Sequence, residues 1–207
     1  MIPPEPAAPA RAIRRILVAV DASPHGLAAL AESVDLAARL EAELLGLFVE
    51  DVDLLRLAEL SIAHEIGATS AVVRPMDRDA VERQLRSQAR RVESRLARLA
   101  VPARVRWSFR VARGRVVAEL LAAAGESDLI ALGRTGWSPL GRRRLGSVVR
   151  CLTAEAPGPV MVLRERAGIA TPAVLVYDGS PAAHAALDLA AAVVRGRDGE
   201  LRVLVVA

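Results

Sequence analysis

The sequence predicts an α/β protein built on a parallel sheet that is covered on both faces. Three observations lead there. Continuous apolar runs at residues 15–20, 43–49, 128–132 and 159–163 read as buried strands rather than half-wet ones. Amphipathic helical patterns separate them, so strand and helix alternate along the chain. One such passage, from the strand at 15–20 through a helix to the strand at 43–49, takes about 35 residues, the length of a β-α-β crossover.

The first run, RILVAV, ends at Asp21. Ser23 and Pro24 then open a helix, Ser as N-cap and Pro at the first helical position. Leu27, Leu30, Val34, Ala37 and Leu40 recur at helical spacing and form its buried stripe. Between 50 and 76 the pattern loosens. Leu54, Leu55, Leu57, Leu60 and Ile62 suggest a short helix and GATS at 67–70 a break, so this segment reads as an excursion over the strand ends. Residues 77–100 form a long helix with Val81, Leu85, Val92, Leu96 and Leu99 on one stripe. Its arginines at 83, 86, 90, 91, 95 and 98 read as a solvated face with local pairs such as Glu82–Arg86.

Residues 104–111 alternate: Val105, Trp107, Phe109 and Val111 against Arg104, Arg106, Ser108 and Arg110. One wet face marks an edge strand, where outward arginines discourage stray pairing. A helix at 114–124, a buried strand at 128–132, a helix from about 146 to 155 and a fifth strand at 159–163 complete the unit. The chain then starts again: AVLVYDGSP at 173–181 echoes ILVAVDASP at 16–24, and LRVLVV at 201–206 echoes the second strand. Expected domains are therefore a flexible tail at 1–14, a complete domain at 15–165, and at 173–207 the β-α-β opening of a tandem repeat. The three elements of that partial copy would expose apolar area unless they dock, on the first domain or on another molecule.

Composition narrows the chemistry. The chain has 207 residues, is 53% hydrophobic and has a mean hydropathy of +0.30, which fits one comfortable folded domain with room for part of another. No apolar stretch reaches the roughly 20 residues of a membrane span, and the Pro/Ala-rich N-terminus lacks the order of a secretion signal. A single cysteine, Cys151, offers no disulfide framework or metal set and reads as a small buried hydrophobe; a cytoplasmic setting is the default. All 28 basic residues are arginine, so lysine-based catalysis and phosphate binding are excluded. Aromatics at 2% are too few for base-stacking platforms, which makes nucleic acid an unfavoured partner despite the formal charge of +4. His25, His64 and His184 lack metal-ligand spacing, so no metal site is expected.

The loop GRTGWSPLGRRRLGS at 133–147 places four glycines and four arginines in fifteen residues directly after a buried strand. Gly133 and Gly136 can turn backbone N–H groups inward as an anion nest. Gly146 and Ser147 then begin a helix, whose free N–H donors suit phosphate. The same residues also suit a plain strand-to-helix turn with Ser147 as N-cap, and both readings stand on the residues alone. A Walker loop is excluded for want of lysine, and a dinucleotide fingerprint would follow the first strand, where the chain has DASPHG.

VAVDASP after the first strand, together with G-x2-G-x9-G-S after the fourth, resembles the universal stress protein family over residues 15 to about 164. The resemblance implies a Rossmann-like, adenine nucleotide alpha hydrolase-like fold: a five-stranded parallel open sheet of order 3-2-1-4-5 with helices on both faces. It implies ATP, with Mg2+, in a crevice between the first and fourth strands, and a regulatory stress-response role with no catalytic residues. Asp21 would accept from the ribose hydroxyls, and Ala19, Val20 and Val49 would line the adenine side. Leu132, Gly133, Arg134, Thr135 and Gly136 would wrap ribose and phosphates, and Gly146, Ser147 and Val148 would hold the phosphate tail. Arg134 could clamp a phosphate or face solvent. Asp21 could instead cap the next helix. Asp178 matches Asp21 in the second copy, where the glycine loop is missing and no second site is expected. The resemblance also implies a homodimer through the fifth strand. A nucleotide-free interaction module and a slow ATPase are the alternatives.

Overall fold

The computed structural model describes residues 13–66, 73–134, 145–163, 172–195 and 199–206. Its main sheet contains β1 (Arg15–Ala19), β2 (Glu43–Asp51), β5 (Trp107–Gly114), β6 (Leu129–Gly133) and β7 (Val160–Leu163). They are all parallel, in the order β5-β2-β1-β6-β7. In terms of these five strands alone that is 3-2-1-4-5, the expected order.

The strands are apolar without interruption because both faces are covered. Along β6, Leu129 and Ala131 join one core while Ile130 and Leu132 join the other. The first core is closed by α1 (Pro24–Leu40) and α3 (Arg78–Ala100), the second by α4 (Val116–Ala124) and α5 (Ser147–Glu155). β1 lies in the middle, with Ile16, Leu17 and Val18 fully buried. Its start is tied to the start of β6 by the Asp128 carboxylate, which accepts from the amides of Arg14 at 3.0 Å and Arg15 at 3.1 Å.

Helix α1 begins as expected: Ser23 is the N-cap, its hydroxyl accepting from the Gly26 amide at 3.0 Å, and Pro24 follows. It ends where Glu41 turns left-handed at φ 53°. Helix α3 buries Val81, Leu85, Val92 and Leu96, with Ala89 and Ala100 completing the stripe and Leu99 packed beside it.

The structure departs from expectation in four places. The excursion after β2 holds a short helix, α2 (Val52–Leu57), but also an antiparallel pair, β3 (His64–Ile66) with β4 (Val73–Pro75). Those strands are three residues long and wholly exposed, so they carry no burial pattern to read. The expected break at 67–70 lies outside the described residues. Strand β5 begins at Trp107, because Arg104 closes the preceding turn at φ 56°. Trp107 and Phe109 face the first core, but Val111 is 46% exposed at the open edge and Ala112 packs into the second core. Cys151 is only partly buried.

After β7 the chain forms β8 (Ala173–Tyr177), α6 (Pro181–Arg195) and β9 (Leu201–Val205), with β8 and β9 paired in parallel as a separate two-stranded sheet. This unit docks through α6. Val193 joins the first core, Leu189 packs against it, and an Arg39 guanidinium N–H on α1 donates to the Val193 carbonyl at 3.4 Å. Val174, Val176 and Leu204 remain exposed on the sheet.

At the far edge a charge network joins β2, β5 and α3. Glu50 is 6% exposed, and its carboxylate accepts from Arg113 Nε at 2.8 Å. Arg113 also donates to Glu82 at 2.6 Å, which is paired with Arg86 at 2.8 Å. The hydrogen bond from Arg113, with the nearby Arg86 charge, holds the Glu82 carboxyl below its ordinary range. Replacing Arg113 with Met leaves Glu50 buried without its partner and is expected to cost about 1–3 kcal/mol in urea unfolding at neutral pH. Adding Glu50→Gln should recover part of that loss. The Glu82 contribution is present above an unfolded carboxyl pKa of about 4.3 and is lost as pH falls through the lower folded value. Arg113→Met should therefore flatten the acid limb of stability against pH; an unchanged limb would remove the network from the account.

Candidate functional site

At the C-terminal ends of β1, β2 and β6 a cavity of about 940 Å3 opens between the two layers of helices. The topology places it there. β1 leads into α1 on one face, and β6 leads toward α5 on the other, so the chain diverges between adjacent strands and leaves a crevice. Ala19, Val20, Asp21, Val49, Leu132, Gly133, Gly146, Ser147 and Val148 all line it. Arg134 is not among the lining residues. Its backbone is structural instead: its amide donates to the Leu163 carbonyl at 3.1 Å and its carbonyl accepts from the Gly146 amide at 3.0 Å. The two ends of the glycine loop are thereby pinned together and to β7. Thr135 and Gly136 lie outside the described residues.

Asp21 occupies the turn between β1 and α1. Its Oδ1 accepts from the Ser23 amide at 3.1 Å and from the Ser23 hydroxyl, while Oδ2 makes no hydrogen bond among the described residues. One oxygen therefore shapes the turn, and the residue lines the crevice. The carboxylate lies so close over α1 that a Cβ on Gly26 would sit 2.2 Å from Oδ1 and 2.6 Å from the Asp21 carbonyl oxygen. A Cβ on Gly133 would meet the His25 carbonyl oxygen at 2.9 Å and its carbon at 3.0 Å. Gly133 thus has a packing role: it lets the end of β6 close against the first turn of α1.

Across the crevice, α5 starts one residue earlier than a Ser147 cap would require. Gly146 is the N-cap, in extended geometry (φ −61°, ψ 156°), and no side chain caps the helix. Ser147 is the first helical residue, so its hydroxyl is not committed as the cap. The amides of Ser147, Val148 and Val149 have no acceptor within the helix, and these residues line the cavity. N–H donors without a partner inside the helix and the positive end of the helix dipole thus border the cavity.

The remaining wall is one that sequence reasoning missed. Helix α3 contributes Val81, Gln84, Leu85 and Gln88, joined by Leu54 on α2, by Met76, and by the carboxylates Asp51 and Glu65. The available signal was the polar pair Gln84 and Gln88, four residues apart, interrupting an otherwise charged border of the α3 stripe. Among the described residues no group of three or more His, Cys, Asp or Glu could hold a metal ion. No helix among them is long and apolar enough to cross a membrane.

The crevice at a reversal of winding, lined by a strand-end carboxylate and a helix start, defines an open-sheet α/β protein with a candidate small-molecule site. Residues 12–164 match the sequence profile of the universal stress protein family, and the chain belongs to that family. Among solved structures it is similar to a universal stress protein from Archaeoglobus fulgidus, with 22% identity over 93% of this chain and 67% of that one, TM-score 0.69. It is also similar to UspA from Lactobacillus plantarum, with 25% identity, covering 73% of this chain and 98% of that one, TM-score 0.52. A third is a universal stress protein in complex with cAMP, with 20% identity, covering 74% and 98%, TM-score 0.50. No curated protein matches the chain.

Gly26→Ala and Gly133→Ala test the contact between the turn and β6. Each is expected to lower stability by about 1–3 kcal/mol through overpacking, with Gly26 the more severe because its Cβ meets both a backbone and a carboxylate oxygen. Thermal melts that leave either variant at wild-type stability would show that the approach is looser than described.

Proposed function

We propose that the cavity binds an adenine nucleotide, ATP carried with Mg2+, and that the chain acts as a regulatory stress-response protein whose output depends on whether that site is filled. The observation that carries this reading is the pairing of an uncommitted Asp21 oxygen with the free first-turn amides of α5 across one crevice. A ribose offers hydroxyl donors to the former, and a phosphate tail offers acceptor oxygens to the latter. Ala19, Val20 and Val49 form an apolar wall suited to the base. The volume lies within the roughly 300–1,000 Å3 typical of small-molecule sites. The cAMP complex of a universal stress protein with this fold makes adenine nucleotides the ligand class to test first.

In this reading each residue does a separate job. Gly133 admits the sugar and phosphates close to backbone, while Thr135 and Gly136 extend the wrapping and Arg134 holds the loop's base through its main chain. Gly146, Ser147 and Val148 receive the phosphate tail. Mg2+ would enter with the nucleotide, held mainly by phosphate oxygens and water. The chain's own part is to bind and orient. The lack of lysine ranks hydrolysis behind binding. The reading extends to assembly and organisation. The β7 edge is apolar and open, suited to a homodimer, and β8-α6-β9 is proposed as the opening of a second, tandem copy. The Archaeoglobus similarity supports the latter, because it covers more of the chain than residues 12–164.

Titration calorimetry with ATP and Mg2+ is expected to show one site per chain. Asp21→Ala should weaken it at least tenfold, the loss of a charge-assisted hydrogen-bond pair to the ribose being worth about 1.5–3 kcal/mol. No saturable heat up to millimolar ATP, or equal affinity in Asp21→Ala, would reject the proposal.

A further inference from the structure

A second concave surface lies on the outer side of the turn that forms the nucleotide crevice. Asp21 and Gly26 face the crevice, whereas Ala22 and Leu27 form part of a groove of about 540 Å3 between the start of α1 and the middle of α3. The α3 wall of that groove is Ser87, Arg90, Arg91, Ser94, Arg95 and Arg98. These positions run i, i+3, i+4, i+7, i+8, i+11, a single stripe of one helix face. All six are exposed, and Val92 is the buried residue beneath them.

The four arginines differ from their neighbours on the same helix. Arg83 is paired with Asp77 at 3.9 Å, and Arg86 with Glu82 at 2.8 Å. Arg90, Arg91, Arg95 and Arg98 form no ion pair or hydrogen bond with a side chain among the described residues. Glu93, the nearest acid in sequence, lies off the stripe and pairs with none of them. Since the chain has no lysine, the choice of arginine carries no information; the alignment and the lack of partners do. Helix-dipole compensation accounts for Arg98 in the last turn but not for Arg90 and Arg91, because that effect fades beyond one turn.

We infer that this groove binds a linear, base-free chain of phosphates, such as inorganic polyphosphate. From Arg90 to Arg98 the cations cover about 12 Å along the helix axis, too long for a single phosphate. Guanidinium forks match phosphate oxygens, and the two serine hydroxyls add donors along the same line. Among the described residues no aromatic lines the groove to stack a nucleobase. A protein partner would be expected to seat an apolar or aromatic anchor in a central pocket; among the described residues the groove offers the small floor of Ala22, Leu27 and Val92 amid charge.

Anisotropy with labelled inorganic polyphosphate tests this on the full chain. Binding is expected to weaken with salt along a log–log slope of about −3, four contacts at roughly 0.7 each. Arg91→Glu with Arg95→Glu should reduce affinity at least tenfold while leaving the ATP titration unchanged. Arg83→Glu with Arg86→Glu, the same change of net charge at already paired positions, should reduce it less than threefold. Single-stranded DNA and polyglutamate of matched charge should bind at least ten times more weakly. Absence of polyphosphate binding overturns the inference, and so does equal loss in both double variants, which would mean attraction by net charge alone. Tighter binding of DNA or polyglutamate would overturn it too and reassign the groove to a nucleic acid or an acidic protein. Arg91→Gln with Arg95→Gln, milder at a solvent-exposed face, should show the same direction of loss and guards against a folding defect.

Discussion

Three stretches of main chain meet at the top of the sheet with no side chain between them, and the site depends on that meeting. The turn at Asp21, the first turn of α1 and the end of β6 approach so closely that a methyl group at Gly26 or Gly133 would overlap backbone atoms. Because they can approach, β1 and β6 remain neighbours to their ends, and the crevice opens directly above the boundary where the chain winds in opposite directions. The Asp21 carboxylate is held in the same contact: one oxygen is spent on Ser23, and the other makes no hydrogen bond among the described residues. Packing and polarity are thus settled by the same few atoms.

The opposite wall follows a related economy of hydrogen bonds. The main-chain groups of Arg134 are satisfied by Leu163 and Gly146, which brings the start of α5 back beside β6. The amides left over are those of the first turn of α5, and they border the cavity. A helix start in this position needs an acceptor from outside the helix, and the Gly146 cap has no side chain to supply one. Among the described residues the arrangement arises from backbone geometry.

The second unit repeats the local turn without repeating its setting. Asp178 accepts from the Ser180 amide at 2.9 Å, and the Ser180 hydroxyl accepts from the Ala183 amide at 3.1 Å, as Asp21 and Ser23 do at 3.1 Å and 3.0 Å. The hydrogen bonds from Ser180 hold the Asp178 carboxyl below its usual range. Yet Ala183 stands where the first turn has Gly26, so a methyl group occupies the space that the first carboxylate needs. The unit has its own helix, α6, whose far end joins the core under α1 and α3 through Leu189 and Val193.

Strand positions, the α1 and α3 stripes and the Ser23 cap were legible in the sequence because each rests on contacts within one element or on burial of a whole run. The strand order and nine of the lining residues were legible through the kinship that VAVDASP and the spaced glycines carry. Other features depended on which elements meet. Val111 turned outward because β5 is an open edge, and the β3–β4 pair is too short and exposed to leave a pattern. Gly146 rather than Ser147 caps α5 because the loop's return is hydrogen-bonded to Arg134. Gln84 and Gln88 line the cavity only because α3 crosses above β2. The apolar periodicity of this sequence by itself determined which segments are strands and helices, since each must bury one face whatever its neighbours. Only the tertiary structure decided which polar groups are left unpaired, because a donor or acceptor is free or satisfied according to what the rest of the chain brings beside it.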